Sequence, residues 1–375
     1  MSEFLNFFDA PVVSLDELVS AGDIELGRGN IISKIDIREV KGSFPIYSSS
    51  SKNNGMMGRY GNYMFDEEMV TWSVDGGGTF FYRPKHKFSV TNVSGYMRAN
   101  QEKFDYRFLH GVLDYQHSFL NFDYQSKAHP SVIRELYEIP IPPLPEQKKI
   151  ASILTSVDEV IETTQKQIDK LQDLKKATMN ELLTKGIGHT EFKDSELGRI
   201  PKSWEIYRLG EIAHFQRGHD ITAAERIKGE FPVVSSSGVS GYHNKPTTKA
   251  PGVVVGRKGS IGTVHFLESD FWAHDTSLFV KNFFSNNEKF VYYLCCWLDL
   301  QQYGTKSGAP SLNRNDIHPI KLKIPPLFEQ KEISKILSDF EKTIEKKKNK
   351  LTQTQSLKKS LMQDLLTGKV RVQVN

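Results

Sequence analysis

Cysteine is almost absent from this 375-residue chain. The two present, Cys295 and Cys296, are adjacent, so neither a disulfide framework nor a cysteine-rich metal site can be built. Long apolar runs are missing too. No stretch approaches the ~18 residues that a membrane span needs. Met1-Ser2-Glu3-Phe4 has no basic segment leading into an apolar core, as a secretory leader would. Together these absences predict a cytoplasmic chain with no membrane partner. There is no Gly-x-x-x-x-Gly-Lys-Ser/Thr phosphate loop. Gly256–Gly262 carries glycines without the following Lys-Ser/Thr, and reads as a hairpin turn. The eleven histidines show no His-Glu-x-x-His spacing, so no metal ligand is assigned. Both Pro-Pro pairs follow isoleucine, which excludes the Asn/Asp-Pro-Pro-aromatic motif of adenine methylation. No residue is assigned a catalytic role and no cofactor is expected on this chain.

Net charge is small, +4, but unevenly spread. Residues 1–145 hold 14 Lys+Arg against 18 Asp+Glu, whereas residues 329–375 hold 11 against 6. A nucleic-acid partner would therefore have to be met by cations clustered on one face, not by bulk charge.

What the chain does have is a repeat. Ile141-Pro142-Pro143-Leu144-Pro145-Glu146-Gln147 returns 183 residues later as Ile324-Pro325-Pro326-Leu327-Phe328-Glu329-Gln330. Each copy opens a helical pattern, since proline fits a helix's first turn and not its interior. Apolar or small residues recur in steps of three and four, the spacing of a coiled-coil seam. In the first copy Ile150, Ile153, Val157, Leu171, Leu174 and Leu182 fall on it. In the second copy Ile333, Ile336, Phe340, Leu357, Leu361 and Leu365 do. Glu146 to Leu183 spans ~57 Å at 1.5 Å per residue. Two equal helices in one chain, with a domain between them, are expected to pair antiparallel. Glu146, Gln147, Glu329 and Gln330 join the seam residues as candidates for spacing and partner docking.

The segments before the helices echo each other as well. Gly42-Ser43-Phe44-Pro45 followed by serines matches Gly229-Glu230-Phe231-Pro232 followed by Ser235-Ser236-Ser237. Gly78-Thr79 matches Gly262-Thr263 at an offset of 184, and Phe88–Asn92 matches Trp272–Thr276 at the same offset. On that offset Trp72-Ser73-Val74-Asp75 stands where the second copy has Gly256-Arg257-Lys258-Gly259. The chain therefore divides into a globular domain at 1–140, a helix at 141–186, a second domain at 187–323, and a helix with its tail at 324–375.

The Pro-Pro-Leu-x-Glu-Gln entry, the linker Gly188-His189-Thr190-Glu191-Phe192-Lys193, Gly256-Arg257-Lys258-Gly259-Ser260 and Trp272-Ala273-His274-Asp275-Thr276 resemble the specificity subunit of type I restriction-modification systems. The resemblance covers nearly the whole chain. It implies an α+β fold: two α/β target recognition domains separated by two long antiparallel coiled-coil helices, with an internal pseudo-twofold repeat. It implies a non-catalytic subunit that reads a bipartite, asymmetric double-stranded DNA site and docks two methyltransferase (modification) subunits for adenine N6 methylation. Two restriction subunits would join through them, and S-adenosylmethionine, ATP and Mg would sit on those partners.

DNA reading needs Arg or Lys for guanine edges and phosphates, and Asn or Gln for adenine. Hydroxyls serve phosphate contacts that set register. The candidates are Ser48, Ser50, Lys52, Asn53 and Arg59, then Ser235, Ser237, His243, Asn244 and Lys245. Arg257 and Lys258, Lys127 and His129, and Lys306 and Ser307 complete the set. Each also reads as an ordinary solvated loop residue. Phe88 and Trp272 read as core aromatics, and His274 with Asp275 as a polar pair bracing the sheet. The rival reading is a coiled-coil adaptor that binds proteins and does not read DNA.

Overall fold

The computed structural model describes residues 10–50, 52–75, 77–120, 128–305 and 310–374. It forms two compact units, Met1–Gln165 with Asn349–Asn375, and Lys166–Lys348. Each long helix, Leu144–Lys185 and Leu327–Leu366, is thus shared between the units. The helix ends belong to the cores. Ile150, Leu154, Leu365 and Leu366 pack in one cluster with Trp72, Phe88 and Phe108 of the first unit. Leu182, Leu183, Ile333 and Leu337 pack with Phe215, Leu278 and Phe290 of the second.

In the first unit six strands are labelled in chain order: β1 (Ile24–Arg28), β2 (Phe44–Tyr47), β3 (Met56–Tyr60), β4 (Phe65–Ser73), β5 (Phe80–Val90) and β6 (Ser94–Ala99). They form one sheet in the order β1-β6-β4-β5-β2-β3, antiparallel except where β2 runs parallel to β5. Helix α1 (Tyr106–His117) covers it. Asp105 caps this helix by accepting from the Arg107 and Phe108 N–H groups, both at 3.0 Å, which satisfies two orphan donors of the first turn. Phe108, Leu109, Val112 and Leu113 are buried along its inner face, at about 1.5–3 kcal/mol each for large apolar side chains.

The second unit repeats this plan with one break. Its strands are β7 (His214–Arg217), β8 (Phe231–Ser235), β9 (Gly238–His243), β10 (Gly252–Gly256), β11 (Val264–Leu267), β12 (Trp272–Ala273) and β13 (Ser277–Asn282), with helix α2 (Glu288–Trp297). They form a four-stranded sheet, β7-β13-β10-β11, and a three-stranded sheet, β9-β8-β12. The long β5 of the first unit corresponds to β11 plus β12, interrupted at residues 268–271. Backbone bonds fix the correspondence. Thr91 N–H donates to Tyr47 O (2.9 Å) as His274 N–H does to Val234 O (2.9 Å), and Val74 N–H donates to Val93 O (3.0 Å) as Arg257 N–H does to Thr276 O (2.9 Å). Around residues 74 and 91 the offset is therefore 183, not the 184 read from the sequence. One extra residue in the turn before Thr263 restores 184 there, since Ser73 N–H meets Thr79 O as Gly256 N–H meets Thr263 O.

The repeated glutamine explains how each long helix meets its domain. Gln147 Oε1 accepts from the Asp105 N–H (2.9 Å) while its amide donates to Lys103 O (2.8 Å) and Pro142 O (2.9 Å). Gln330 Oε1 accepts from the Asn287 N–H (2.9 Å), and its amide donates to Asn286 Oδ1 (2.8 Å) and Pro325 O (3.0 Å). Asp105 and Asn287 are the N-caps of α1 and α2. One side chain thus ties the start of a long helix to the start of a sheet-covering helix, in both units.

Candidate nucleic-acid interface

The second unit carries an open cleft of about 840 Å³ lined by Arg217, His219, Arg257, Asp275, Asn313 and Arg314, among others. Arg217 ends β7, Arg257 follows β10, and Asn313 caps the short helix Arg314–Ile317. The sheet brings these edges together. Gly218 makes the approach possible, for a Cβ there would lie 2.1 Å from His274 O; Gly29 in the first unit has the same constraint against Val90 O at 2.0 Å. Arg217 donates to Asp275 Oδ2 at 2.8 Å, and Asp275 also lies 3.1 Å from His274 Nδ1. Arg257 donates to Asp275 O at 3.3 Å. Partial burial, and then the neighbouring Arg217, lower the pKa of Arg257. Three guanidiniums share one mouth with two carboxylates, exposed Asp220 and the turn-bracing Asp275, so cations remain in excess. Such a surface favours a polyanion and offers forked donors suited to guanine or phosphate.

The first unit builds this place differently. Arg28 occupies the position of Arg217 and donates from Nε to Asn92 O at 2.9 Å. At the position of Arg257 stands Val74, 1% exposed. His129 replaces Asn313 as the cap of a short helix whose first residue is Pro130, where the second unit has Arg314. Two of the three cations of the cleft therefore have apolar counterparts.

The residues proposed from sequence fall into several groups. Ser50, Lys52, Asn53 and Arg59 are exposed and Ser48 is half-buried at the β2–β3 hairpin. Arg59 donates to Ser43 O at 2.7 Å. Ser237, Asn244, Lys245 and Lys258 are exposed, and Ser235 is half-buried with its hydroxyl on Gly238 O at 3.0 Å. His243 does not face solvent. It is buried, its Nδ1 accepts from the Ile227 N–H at 3.1 Å, and its ring meets Trp272 edge-on at 5.1 Å. Its ring is therefore packed within the second unit and is not presented to a ligand. His129 is exposed, with Nδ1 2.8 Å from Ser131 Oγ. Lys127, Lys306 and Ser307 lie outside the described residues. Gly256–Gly262 does form the hairpin turn between β10 and β11, closed by Gly262 N–H to Gly256 O at 2.9 Å. Arg217, Asn313, Arg314 and Asn315 were not foreseen. For Arg217 the signal was the dipeptide Arg217-Gly218, shared with Arg28-Gly29; Asn313, Arg314 and Asn315 had none, since His129 and Pro130 stand at the first two positions in the other copy.

Along the helices, Ile150, Leu182, Ile333 and Leu365 are buried, and Ile153, Val157, Leu171, Ile336, Phe340 and Leu361 are half-buried within their own units. Leu174 and Leu357 depart from the seam, being 49% and 53% exposed; Val160, which continues the same spacing three residues after Val157, is also exposed at 41%. Glu146, Gln147, Glu329 and Gln330 are buried inside the chain and present no surface. Glu146 is clasped by Arg371 through two 2.7 Å bonds. Glu329 accepts from the Ile187 N–H (2.9 Å) and from Trp204 Nε1 (2.9 Å), and lies 2.7 Å from His189 Nε2. The segment following one helix thus closes on the glutamate that starts the other.

A duplicated α+β module, with paired helices and a basic cleft in one copy, defines a class of two-domain recognition protein. The family described as type I restriction modification DNA specificity domain matches this chain twice, over residues 12–173 and 201–353, and the chain belongs to that family. The type I restriction enzyme MjaVIII specificity subunit of Methanocaldococcus jannaschii is 28% identical over 400 residues, covering 95% of this chain and 93% of that one. A putative MjaX specificity subunit of the same organism is 32% identical over 271 residues; the match spans 66% of this chain and 62% of that relative. Among solved structures, the S subunit of a type I restriction-modification system from M. genitalium shares the fold, with a TM-score of 0.68 at 18% identity over 96% of this chain and 97% of that one.

Proposed function

We propose that this chain is the non-catalytic DNA sequence-specificity subunit of a type I restriction-modification complex. Each unit reads one half of a bipartite, asymmetric site in double-stranded DNA. The observation that carries this reading is the same scaffold built twice with different cleft chemistry: Arg257 and Arg314 in one copy, Val74 and Pro130 in the other. A shared scaffold suits a common duplex, and unlike side chains suit unlike bases.

The exposed apolar positions of the long helices, Val160, Leu174 and Leu357, suit docking of two methyltransferase subunits, which would flip and N6-methylate adenines. S-adenosylmethionine, ATP and Mg belong to those partners and to restriction subunits recruited through them. The compartment that fits is the cytoplasm. The unread gap between half-sites would follow from the length of the helices.

The test is binding of this chain, with its methyltransferase partner, to duplexes selected from a random pool. Affinity for the selected sequence should exceed that for scrambled DNA by 10³-fold or more, and should fall steeply with salt. Methylome sequencing of a host carrying the intact operon should show one split motif with two unlike halves. Binding without sequence preference would favour an adaptor role. Methyl transfer by the isolated chain would overturn the non-catalytic assignment.

A further inference from the structure

Among the described residues the one buried cation is Arg83, 1% exposed, on β5 of the first unit. Its Nε donates to Thr71 Oγ1 at 2.9 Å and its Nη1 to Asn54 O at 2.9 Å. The guanidinium lies 3.6 Å from the centroid of the Tyr47 ring and 4.8 Å from that of Phe81. Among the described residues it has no carboxylate partner. Burial lowers its pKa to about 10, so it stays charged at neutral pH. An unneutralised charge in a low-dielectric interior is costly and its field reaches far. Retention of such a group calls for a reason.

The reason lies in what it holds. In the second unit the hairpin between β8 and β9 is short, with four residues between the paired Val234 and Val239. In the first unit eight residues separate the paired Tyr47 and Met56. The added stretch ends in three successive left-handed residues, Asn53 (φ 49°), Asn54 (φ 52°) and Gly55 (φ 76°). Left-handed backbone is disfavoured for any non-glycine residue, least for asparagine. Arg83 grips the carbonyl at the middle of this turn. Ser73 Oγ holds Ser49 O at 2.7 Å, and the Ser48 N–H closes the loop on Gly55 O at 2.8 Å. Lys52, Asn53 and Asn54 project as an exposed, pinned lobe. This is also the unit whose cleft lacks the counterparts of Arg257 and Arg314.

We propose that the Lys52–Gly55 lobe is the base-reading element of the first unit, and that Arg83 is the positioning residue that fixes it. The asparagine amides offer the paired donor and acceptor that match an adenine edge, and Lys52 suits a phosphate. The inference rests on the DNA-reading function above and names which element reads one of the two halves.

The test compares the full chain, in complex with its methyltransferase partner, with its Arg83→Met, Arg83→Lys and Asn53→Ala variants, by selection from randomised duplexes. Arg83→Met and Asn53→Ala should both flatten preference at the same base positions of one half-site, by about tenfold or more. The other half-site should remain unchanged and circular dichroism native. Arg83→Lys should keep overall affinity yet lose that preference, because an ammonium cannot reach Thr71 and Asn54 together while stacking on Tyr47. Unchanged preference in Asn53→Ala, or equal loss in both half-sites from Arg83→Met, would overturn the proposal. Where Arg83→Met fails to fold, Arg83→Lys and Asn53→Ala carry the test, and unchanged preference in Arg83→Lys would overturn the positioning role. Wild-type protein with no preference at all would remove the underlying function, a result distinct from any of these.

Discussion

Lys175 Nζ lies 2.7 Å from Glu341 Oε1, and the positions 183 residues away repeat the pair in reverse: Lys358 Nζ lies 2.6 Å from Asp158 Oδ1. In one pair the lysine comes from the first long helix and the acid from the second; in the other the roles are exchanged. Antiparallel helices with one shared register produce this relation. Both pairs are partly exposed, at 25% and 30% for one and 29% and 52% for the other. Their contribution to stability is therefore modest, and their consequence is alignment: a slip of either helix by one turn would separate both pairs.

Charge reversal tests that role. Lys175→Glu places like charges together and also disturbs Tyr293, whose hydroxyl donates to Glu341 Oε2 at 2.8 Å. The single variant should destabilise by about 1 kcal/mol, and the Lys175→Glu, Glu341→Lys double variant should recover only part of it, because replacing Glu341 also removes the Tyr293 bond and the 3.8 Å pair with Lys289. Urea unfolding of the four members of the cycle measures the coupling. Additive effects would show that the pair does not interact in solution.

The two glutamines should matter more than the ion pairs. Gln147→Ala and Gln330→Ala each remove three hydrogen bonds and leave the N-cap N–H of α1 or α2 without its partner. A buried unsatisfied donor costs about 1–3 kcal/mol, so each variant should lose at least 2 kcal/mol. Lys176→Ala, on an exposed helical position, should stay within about 0.5 kcal/mol of wild type. Equal midpoints for all three in denaturant would refute the anchoring argument.

Arg257 and Lys258 are neighbours in sequence with unlike surroundings, and should respond differently. Arg257 is half-buried in the cleft and held on Asp275 O, whereas Lys258 is exposed. Arg257→Ala should cost about 1–3 kcal/mol of binding and relax one base position. Lys258→Ala should weaken all sequences alike and lower the salt slope by about one. Titrations over a salt series, against duplexes changed one base pair at a time, separate the two outcomes. The reverse assignment would place Lys258, not Arg257, at the bases.

The duplication and both long helices were legible because their signals are local. Pro-Pro starts and steps of three and four need no tertiary information, and the helices begin at Leu144 and Leu327 as that pattern requires. The register of the sheets was not legible to one residue. In sequence Phe88 lines up with Trp272, but β5 is continuous while its counterpart breaks into β11 and β12, and hydrogen bonding sets the offset at 183. That single step hid the replacement of Arg257 by Val74. The cleft was missed for a related reason: Arg217, Arg257 and Arg314 are far apart in sequence and meet only through sheet edges. His243 was misread because a histidine beside Asn244 and Lys245 looks like a polar loop, while its ring is buried and accepts from the Ile227 N–H.

Exchange of one recognition domain follows from the same contacts, which also set where the joins belong. Trp204 Nε1 bonds to Glu329 Oε2 and Glu205–Arg208 pairs with Lys321–Ile324, so the junction should leave Trp204 and that strand in place and begin at residue 209. It should end at residue 320, before Lys321–Ile324 pairs with Glu205–Arg208. The incoming segment must keep the equivalents of Asn286, whose Oδ1 accepts from the Gln330 amide, and of Asn287, whose Oδ1 accepts from the Phe290 N–H and Ser334 Oγ, together with a hydroxyl at Tyr293 for Ser338 and Glu341. With those groups retained, the core beneath α2 and the start of the second long helix are undisturbed. The hybrid should then methylate, with its partner subunits, a site in which one half-sequence has changed and the other is the original. Its unfolding midpoint should remain close to wild type. A hybrid with alanine at 287 keeps the N–H that meets Gln330 but loses the Oδ1 that accepts from the Phe290 N–H and from Ser334 Oγ; it should lose about 1 kcal/mol, the cost of an N-cap, with the same change of half-site. Methylome sequencing of cells carrying each hybrid reads the specificity, and change in both half-sequences at once would show that the two units do not read DNA independently.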